Sequence, residues 1–411
     1  MNNLFSFKQY FTAINISYKN KDSKSFQTLF PATNDSILDL YSKIQSKLPI
    51  PTFLWGDFSE STLIEFVKAY TSFVISYPNS SNFERWICSL QVLNMLIPAF
   101  TRHDAFWLVQ TVKSLTKCSF LLYYSIPKKQ RQMDANKMGE LLQRIIKVQM
   151  SDRTPLPNSK RAGVYSIVNM FLHFSIESGS MGPLVGLISN IRTSGPPIEE
   201  FPISDQVSFS YWLGRYYLIR HQLRQAQNEF EFALEHCPKE HIKNKRIIVE
   251  YAIVVNILRG KLPTDTLLEK YGLSYIYSQL VFYYHKGFVG KFKELLKVNF
   301  EHFRKLGVYL LLLERSEIPL YRNLILRLFR VKKTIQSESF VLTFEEILSS
   351  MTLSTESNEF DYNDVECILS NLIEQGFIRG HIQPQQNILV LSRTNPFPRI
   401  KDIKPPIGLP V

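Results

Sequence analysis

The stretch "YWLGRYYLIRHQLRQAQNEFEFALEHCP", residues 211–238, limits the possible folds more than any other part of the chain. Leu213, Gly214 and Tyr217 are followed by Ala226, Phe230 and Ala233, and Pro238 closes the segment. Spacings of three and four residues put side chains on one side of an α-helix. Gly214 and Ala226 are small enough to let two helices approach, and Tyr217 and Phe230 are large enough to fill the gap. The pattern predicts a helical hairpin. Such a hairpin cannot bury its apolar face alone, so it needs neighbours of the same kind.

The rest of the chain supplies them. From Leu4 to about Arg192 the periodicity is helical, as in "SILDLYSKIQSKL" and "STLIEFVKAYTSFVISY". "WICSLQVLNMLIPAF" is apolar nearly all round and reads as an inner helix. Pro, Asn and Ser punctuate the series at 49–51, 77–82, 125–130 and 152–160, and a longer break falls at 192–202. After Pro238 comes "KNKRIIVEYAIVVNILRG", with Gly260 placed to end the helix. In "PTDTLLEKYG", Thr266 with Glu269 three on suggests a capping box. The stretch "SGSMGPLVGLISN" has no assignment at this level.

Near Pro319 the pattern changes. "YRNLILRLFR", "FVLTFEEILSSM" and "DYNDVECILSNLIEQGF" read as three helices, the last stopped by Gly376. "FIRGHI", the turn-like "QPQQN" and "ILVLS" then read as a β-hairpin. Three helices followed by a hairpin is the order of a winged helix. The expected divisions are N-terminal helical repeats over 1–195, a helical part over 196–318, a winged helix over 319–398 and a Pro-rich tail over 399–411.

Charge bears on partners. The 411 residues carry a net charge of +12, the balance of a chain with affinity for a polyanion or of a merely soluble basic protein. Its distribution says more. Residues 128–161 hold nine Lys/Arg against three acids, while 334–376 hold nine acids and no Lys or Arg. No apolar run is long enough to span a membrane, "VYLLLLE" at 308–314 being far too short. The N-terminus does not read as a secretory signal. Cys88, Cys118, Cys237 and Cys367 stand far apart with no C-x-x-C, which argues against a zinc site or disulfide framework and fits a reducing compartment.

The hairpin of 211–238 resembles a tetratricopeptide helix pair: L-G-x-x-Y, then A-x-x-x-F, a small residue and a closing proline. Ser210 stands where that repeat usually has Trp, with Trp212 two places late, and no second match follows. A right-handed stack of such hairpins capped by a winged helix is similar to the PCI domain. The fold class expected is therefore mostly α, a tetratricopeptide-like helical-repeat solenoid ending in a winged helix. "KNKRIIVEYAIVVNILRGKLPT", "YRNLILRLF", "DVECILSNLIEQGFIRGHI" and "NPFP" resemble one branch of that family, the PCI-domain-containing protein two group and its fungal relatives, over 205–398.

The resemblance implies a non-catalytic scaffold without a cofactor. It implies pairing with a second PCI-domain protein through winged helices, with Ile378 and Ile382 of the hairpin as candidate contacts. It further implies a small, acidic, disordered subunit shared with the proteasome lid, and a basic surface for RNA or DNA. The location it implies is the nucleus, including the nuclear pore, with cytoplasm also allowed. Two settings fit: a complex of mRNA biogenesis and export coupled to transcription, which is favoured, or a signalosome-associated scaffold in protein modification.

The residues themselves locate the candidate surfaces. The outward face of 364–375 carries Asp364, Cys367, Ser370, Asn371 and Glu374, so phosphates would be repelled from the usual groove-reading helix. Nucleic acid would instead meet the flanks: Arg327, Arg330, Lys332 and Lys333 on one helix, and Arg379 and Arg393 on the hairpin. Each of these taken singly is equally a solvated charge. Lys243, Lys245 and Arg246 begin a helix, where the macrodipole disfavours cations. An acidic partner or nucleic acid would offset that cost; alternatively Asn244 caps the helix and the cations are solvated. No nucleophile, P-loop, zinc or dinucleotide motif is present, "GFVGKF" at 287–292 lacks the P-loop spacing, and His103–Asp104 and His236/His241 read as surface or capping residues.

Overall fold

Gly214 has its α-carbon against the ring of Phe230, so close that a Cβ there would stand 2.9 Å from the ring edge. That contact joins the helices Ile203–Ile219 and Leu223–His236, the hairpin read from the sequence. Phe230, Ala226 and Ala233 are fully buried, and Phe230 stacks on Tyr251 of the next helix at 5.6 Å. The computed structural model describes residues 7–44, 61–335 and 339–403. The break expected at 49–51 and the tail beyond 403 lie outside them. Twenty-one α-helices and one three-stranded sheet occur in the described residues, which divide into two units, Met1–Trp212 and Leu213–Val411. The chain is mostly α: helical pairs ending in a winged helix.

In the first unit, short polar turns separate helices that share an aromatic core. Phe30 lies 4.7 Å from Phe66 and 4.9 Å from Tyr70, and Phe26 lies 5.1 Å from Trp107. The buried Tyr70 hydroxyl stays paired by donating to the Pro31 carbonyl at 2.6 Å. The helix Asn82–Thr101 is the expected inner one, with Trp86, Leu93, Leu96 and Phe100 buried. Its start is a reciprocal cap: the Ser81 hydroxyl accepts from the Glu84 N–H, and the Glu84 carboxylate accepts from the Ser81 N–H. "SGSMGPLVGLISN" contains the start of another helix, Gly182–Ser194. The loop at 152–160 is organised by Asp152, whose carboxylate accepts from the Thr154 N–H, the Ser159 hydroxyl and the Lys160 N–H.

In the second unit the helix Ile242–Leu258 stops where Gly260 takes φ +73° and Lys261 donates back to the Asn256 carbonyl. The next helix, Asp265–Lys270, is capped by Thr264, not by Thr266; the Thr264 hydroxyl accepts from the Leu267 N–H at 3.3 Å. Asn244 is no cap either, because the helix already begins at Ile242. Helices Ser274–Lys286, Val289–Val298, Phe300–Leu306 and Tyr309–Arg315 follow, divided at Gly287, Asn299 and Gly307.

The winged helix comprises helices Glu317–Ile335, Phe344–Thr355 and Tyr362–Glu374 with strands β1 (Val341–Thr343), β2 (Gly380–Gln383) and β3 (Ile388–Leu391). Strand order is β1-β3-β2, both pairs antiparallel, with Leu342 opposite Leu389 and Ile382 opposite Leu389 on the other side. The strand β1 corrects the reading of 340–351 as wholly helical. The apolar run "FVL" pairs with β3, and Thr343 starts the helix through a capping box with Glu346. Central β3 is covered on both sides, which leaves β2 with one open edge.

Candidate nucleic-acid and partner interface

The helix Glu317–Ile335 turns its cations in different directions. Its inner face, with Leu320, Leu324, Ile325 and Phe329, is buried. Arg327, Arg330 and Lys333 are exposed, spaced at three residues and therefore on neighbouring turns. The Arg327 guanidinium lies 4.9 Å over the Phe288 ring, and the Lys333 ammonium lies 4.3 Å over Phe340. Lys332 points elsewhere. Its ammonium stands 2.7 Å from Glu346, with only 15% of the side chain exposed. Burial pushes the Glu346 carboxyl up, but hydrogen bonds from Lys332 and the Thr343 N–H outweigh it and hold it below the ordinary range. Lys332 is thus engaged in holding the second winged-helix helix, a role its sequence position could not reveal.

Arg379 and Arg393 are both exposed at one end of the sheet. The Arg379 carbonyl accepts from the Ser392 N–H at 2.8 Å, and the Arg379 N–H donates to the Pro396 carbonyl at 2.8 Å. Lys333 belongs to the same end, because Phe340 beneath it accepts from the Leu391 N–H at 2.8 Å. The segment "NPFP" closes over this end. Phe397 packs 5.6 Å from Phe329, and the nearly buried Arg322 guanidinium donates to the Phe397 and Pro398 carbonyls at 3.2 and 2.8 Å. Burial pushes the Arg322 guanidinium below its ordinary pKa. Arg322 therefore positions the chain beside Arg379, and sequence reasoning missed it because a cation in an apolar helical run looks like any other.

The face of Tyr362–Glu374 read as outward is outward: Asp364, Cys367, Ser370 and Glu374 are exposed and Asn371 half-buried, while Val365, Leu369 and Leu372 are buried. Of the hairpin isoleucines, Ile378 is buried in its own subdomain and only Ile382, half-buried on β2, has surface to offer. At the start of Ile242–Leu258, Lys243 and Arg246 are exposed beside the exposed Ile242 and Ile247. Lys245 instead donates to the Cys237 carbonyl at 2.9 Å, at the C-terminal end of the preceding helix. One helix's negative end thereby compensates the cation at the other's positive end.

The basic segment 128–161 is partly consumed by structure. Lys160 is buried and donates to the Thr101 carbonyl, Arg144 donates to Asn94, Arg161 to the Thr154 carbonyl, and Arg131 lies 4.7 Å over Tyr124. Arg144, Lys147 and Arg153 line an open groove of about 710 Å³ with Met150, Phe171 and Leu187. Of the histidines singled out from sequence, His103 and His241 are exposed and His236 is engaged within its own helix. Asp104 beside His103 pairs with Lys21, and His236 bonds to the Phe232 carbonyl one turn back. Glu250 touches His302 at 2.8 Å and Tyr277 at 3.3 Å inside the core. The four cysteines are free, Cys118 and Cys237 being buried. Among the described residues no cluster of three or more His, Cys, Asp or Glu could hold a metal, and no helix is long and apolar enough to cross a membrane.

Residues 296–393, from the last repeat helices through β3, match the PCI domain family. A PCI domain-containing protein of Schizosaccharomyces pombe is 29% identical over 351 residues, covering 81% of this chain and 79% of that protein. PCI domain-containing protein 2 of Danio rerio is 26% identical over 348 residues, covering 82% of this chain and 85% of that protein. The protein CSN12 homolog of Neurospora crassa is 27% identical over 285 residues, covering 66% of this chain and 63% of that protein. With its helical pairs, its winged helix and these relatives, the chain carries a PCI domain over 296–393 and is similar to PCI domain-containing protein 2 and its fungal relatives.

Proposed function

We propose that this chain is a non-catalytic PCI scaffold subunit of a nuclear complex in mRNA biogenesis and export coupled to transcription. It pairs with a second PCI-domain protein along the open edge of β2, with Ile382 at the contact. Arg327, Arg330, Lys333, Arg379 and Arg393 bind RNA or DNA through phosphates, with little sequence preference. The observation that carries this reading is the exposure of these five cations on the winged helix, none of them on the acidic third helix. Lys243 and Arg246, flanked by exposed Ile242 and Ile247, suit a short acidic and apolar segment, such as that of a small acidic disordered subunit. A signalosome-associated scaffold is the second reading, favoured by the likeness to a CSN12 homolog.

The test is anisotropy of a labelled single-stranded RNA against the full chain with Arg330, Lys333, Arg379 and Arg393 changed to Glu. Lys332 stays, because reversing it would set two carboxylates against each other. Affinity should fall, and the salt slope should flatten by about 3, from about 0.7 per lost phosphate contact on a single strand. An unchanged affinity in a folded protein would refute the basic flank as the contact surface.

A further inference from the structure

Where the repeat helices meet the first helix of the winged helix, the C-terminal end of Ser274–Lys286 lies against the start of Val289–Val298 and the middle of Glu317–Ile335. Two aromatic rings reach the surface there. Phe282 is 51% exposed, an unusual position for a large apolar side chain, and half-buried Phe288 lies 6.1 Å from it. Three cations attend the rings: Lys286 at 5.9 Å from Phe282, Lys291 at 5.8 Å from Phe288, and Arg327 at 4.9 Å from Phe288. Arg330 is close enough, with Lys286, to act on His285. None of these four cations makes an ion pair among the described residues. Burial, then Lys286 and Arg330, hold the His285 imidazole below its ordinary range. Glu294, one turn from Lys291, is the exposed carboxylate on that helix.

The patch is held rigidly. Gly287 sits at φ +71° with its α-carbon against the Leu324 backbone, and Asn323 donates to the Tyr284 carbonyl at 2.8 Å. The rings therefore stand on fixed helix ends and lose little entropy on binding.

We propose that Phe282, Phe288 and Arg327 form a stacking platform for the unpaired bases of a single-stranded nucleic acid, with Lys286, Lys291 and Arg330 taking the adjoining phosphates. Rings interleaved with cations suit a strand whose bases are splayed out, since every base has a π-face and every link a negative charge. A duplex hides those faces, so the platform confers preference for single strands. The proposal rests on the nucleic-acid reading above and adds to it a site outside the sheet end.

The experiment measures binding of the full chain to a 20-residue oligouridine and to an RNA duplex of the same length, for wild type, Phe282→Ala, Phe282→Leu and Phe282→Tyr. Phe282→Ala and Phe282→Leu should each weaken oligouridine binding about tenfold, within the range of one lost base stack. They should leave the salt slope and the duplex affinity unchanged, and Phe282→Tyr should bind like wild type. Leucine keeps the apolar contact, so loss in both variants at unchanged melting temperature separates stacking from folding. If Phe282→Ala and Phe282→Leu bind oligouridine as wild type does, or lose duplex equally, the platform is refuted. If they instead release a protein partner while RNA binding holds, the patch is a protein contact and the proposal falls. If the wild type binds neither RNA, the basic-flank reading fails as well, whereas failure of the phenylalanine variants alone leaves that reading standing.

Discussion

Ser354→Ala should loosen the junction between the helical pairs and the winged helix. Ser354 sits near the end of Phe344–Thr355 and is buried. Its hydroxyl donates to the Gly287 carbonyl at 2.6 Å and accepts from the Val289 N–H at 2.9 Å. Both groups belong to the turn that supports Phe288. The turn is tight on both sides, since a Cβ on Gly290 would stand 2.8 Å from the Thr355 carbonyl oxygen. Alanine leaves one buried acceptor and one buried donor without partners and opens too little space for water. At about 1–3 kcal/mol for each orphaned group, partly relieved by relaxation, the loss is about 2–4 kcal/mol. In a unit of about 200 residues, each kcal/mol moves Tm by about 2–4 °C, so Tm should fall by roughly 5–15 °C. Calorimetry gives the total, and hydrogen exchange at the Val289 amide reports the site itself. Ser350→Ala is the control, because the Ser350 hydroxyl bonds only to the Glu346 carbonyl of its own helix. A Ser354→Ala protein with wild-type Tm and a still-protected Val289 amide would refute the reasoning.

Lys332→Glu should lower the Tm of the winged helix by setting two carboxylates together, while Lys333→Glu leaves it within about 1 °C; equal effects in thermal melts would contradict the assignment. The Glu346 carboxyl lies below its ordinary 4.5 in the folded state, so the stabilisation by Lys332 is full above that pH and is lost as pH falls through the folded value. The Tm difference between wild type and Lys332→Met should therefore vanish in acid. In the first unit, burial raises the Asp152 carboxyl but the N–H groups of Thr154 and Lys160 and the Ser159 hydroxyl outweigh it, taking it to about 2 from an ordinary 3.8. Asp152→Asn should destabilise at neutral pH, and its difference from wild type in a pH-dependent melt should disappear between about 4 and about 2. Ala233→Arg, at a fully buried site, should cost a few kcal/mol (about 3 or more) and open the region around the hairpin to limited proteolysis; a resistant variant that loses one peptide ligand would make the hairpin a binding pocket.

The helical hairpin was legible because small Gly214 and Ala226 and large Tyr217 and Phe230 recur at helical spacing, and in the fold Gly214 packs on Phe230. The third winged-helix helix was legible for a similar reason: Val365, Leu369 and Leu372 share a stripe that leaves the acids outside. What escaped was local or depended on partners distant in sequence. Strand β1 is three residues long, and its pairing with β3 spans more than forty positions, so nothing nearby separates it from the helix it precedes. Thr264 and Thr266 are both good caps, and only the turn geometry chooses between them. The cations were the least legible. Lys332 and Lys333 are adjacent in the chain, yet one is locked to Glu346 and the other lies over Phe340 in the open. Charge along a sequence says how many cations exist, and only packing says which are free to meet a phosphate.

The most direct test of the scaffold account is ultraviolet crosslinking and affinity purification of the tagged full chain from cells. Wild type would be compared with the form carrying Arg330→Glu, Lys333→Glu, Arg379→Glu and Arg393→Glu, reading bound proteins by mass spectrometry and bound RNA by labelling. The account predicts a second PCI-domain protein with both forms and crosslinked RNA with the wild type alone. Signalosome subunits without RNA, or RNA recovered equally with both forms, would contradict it.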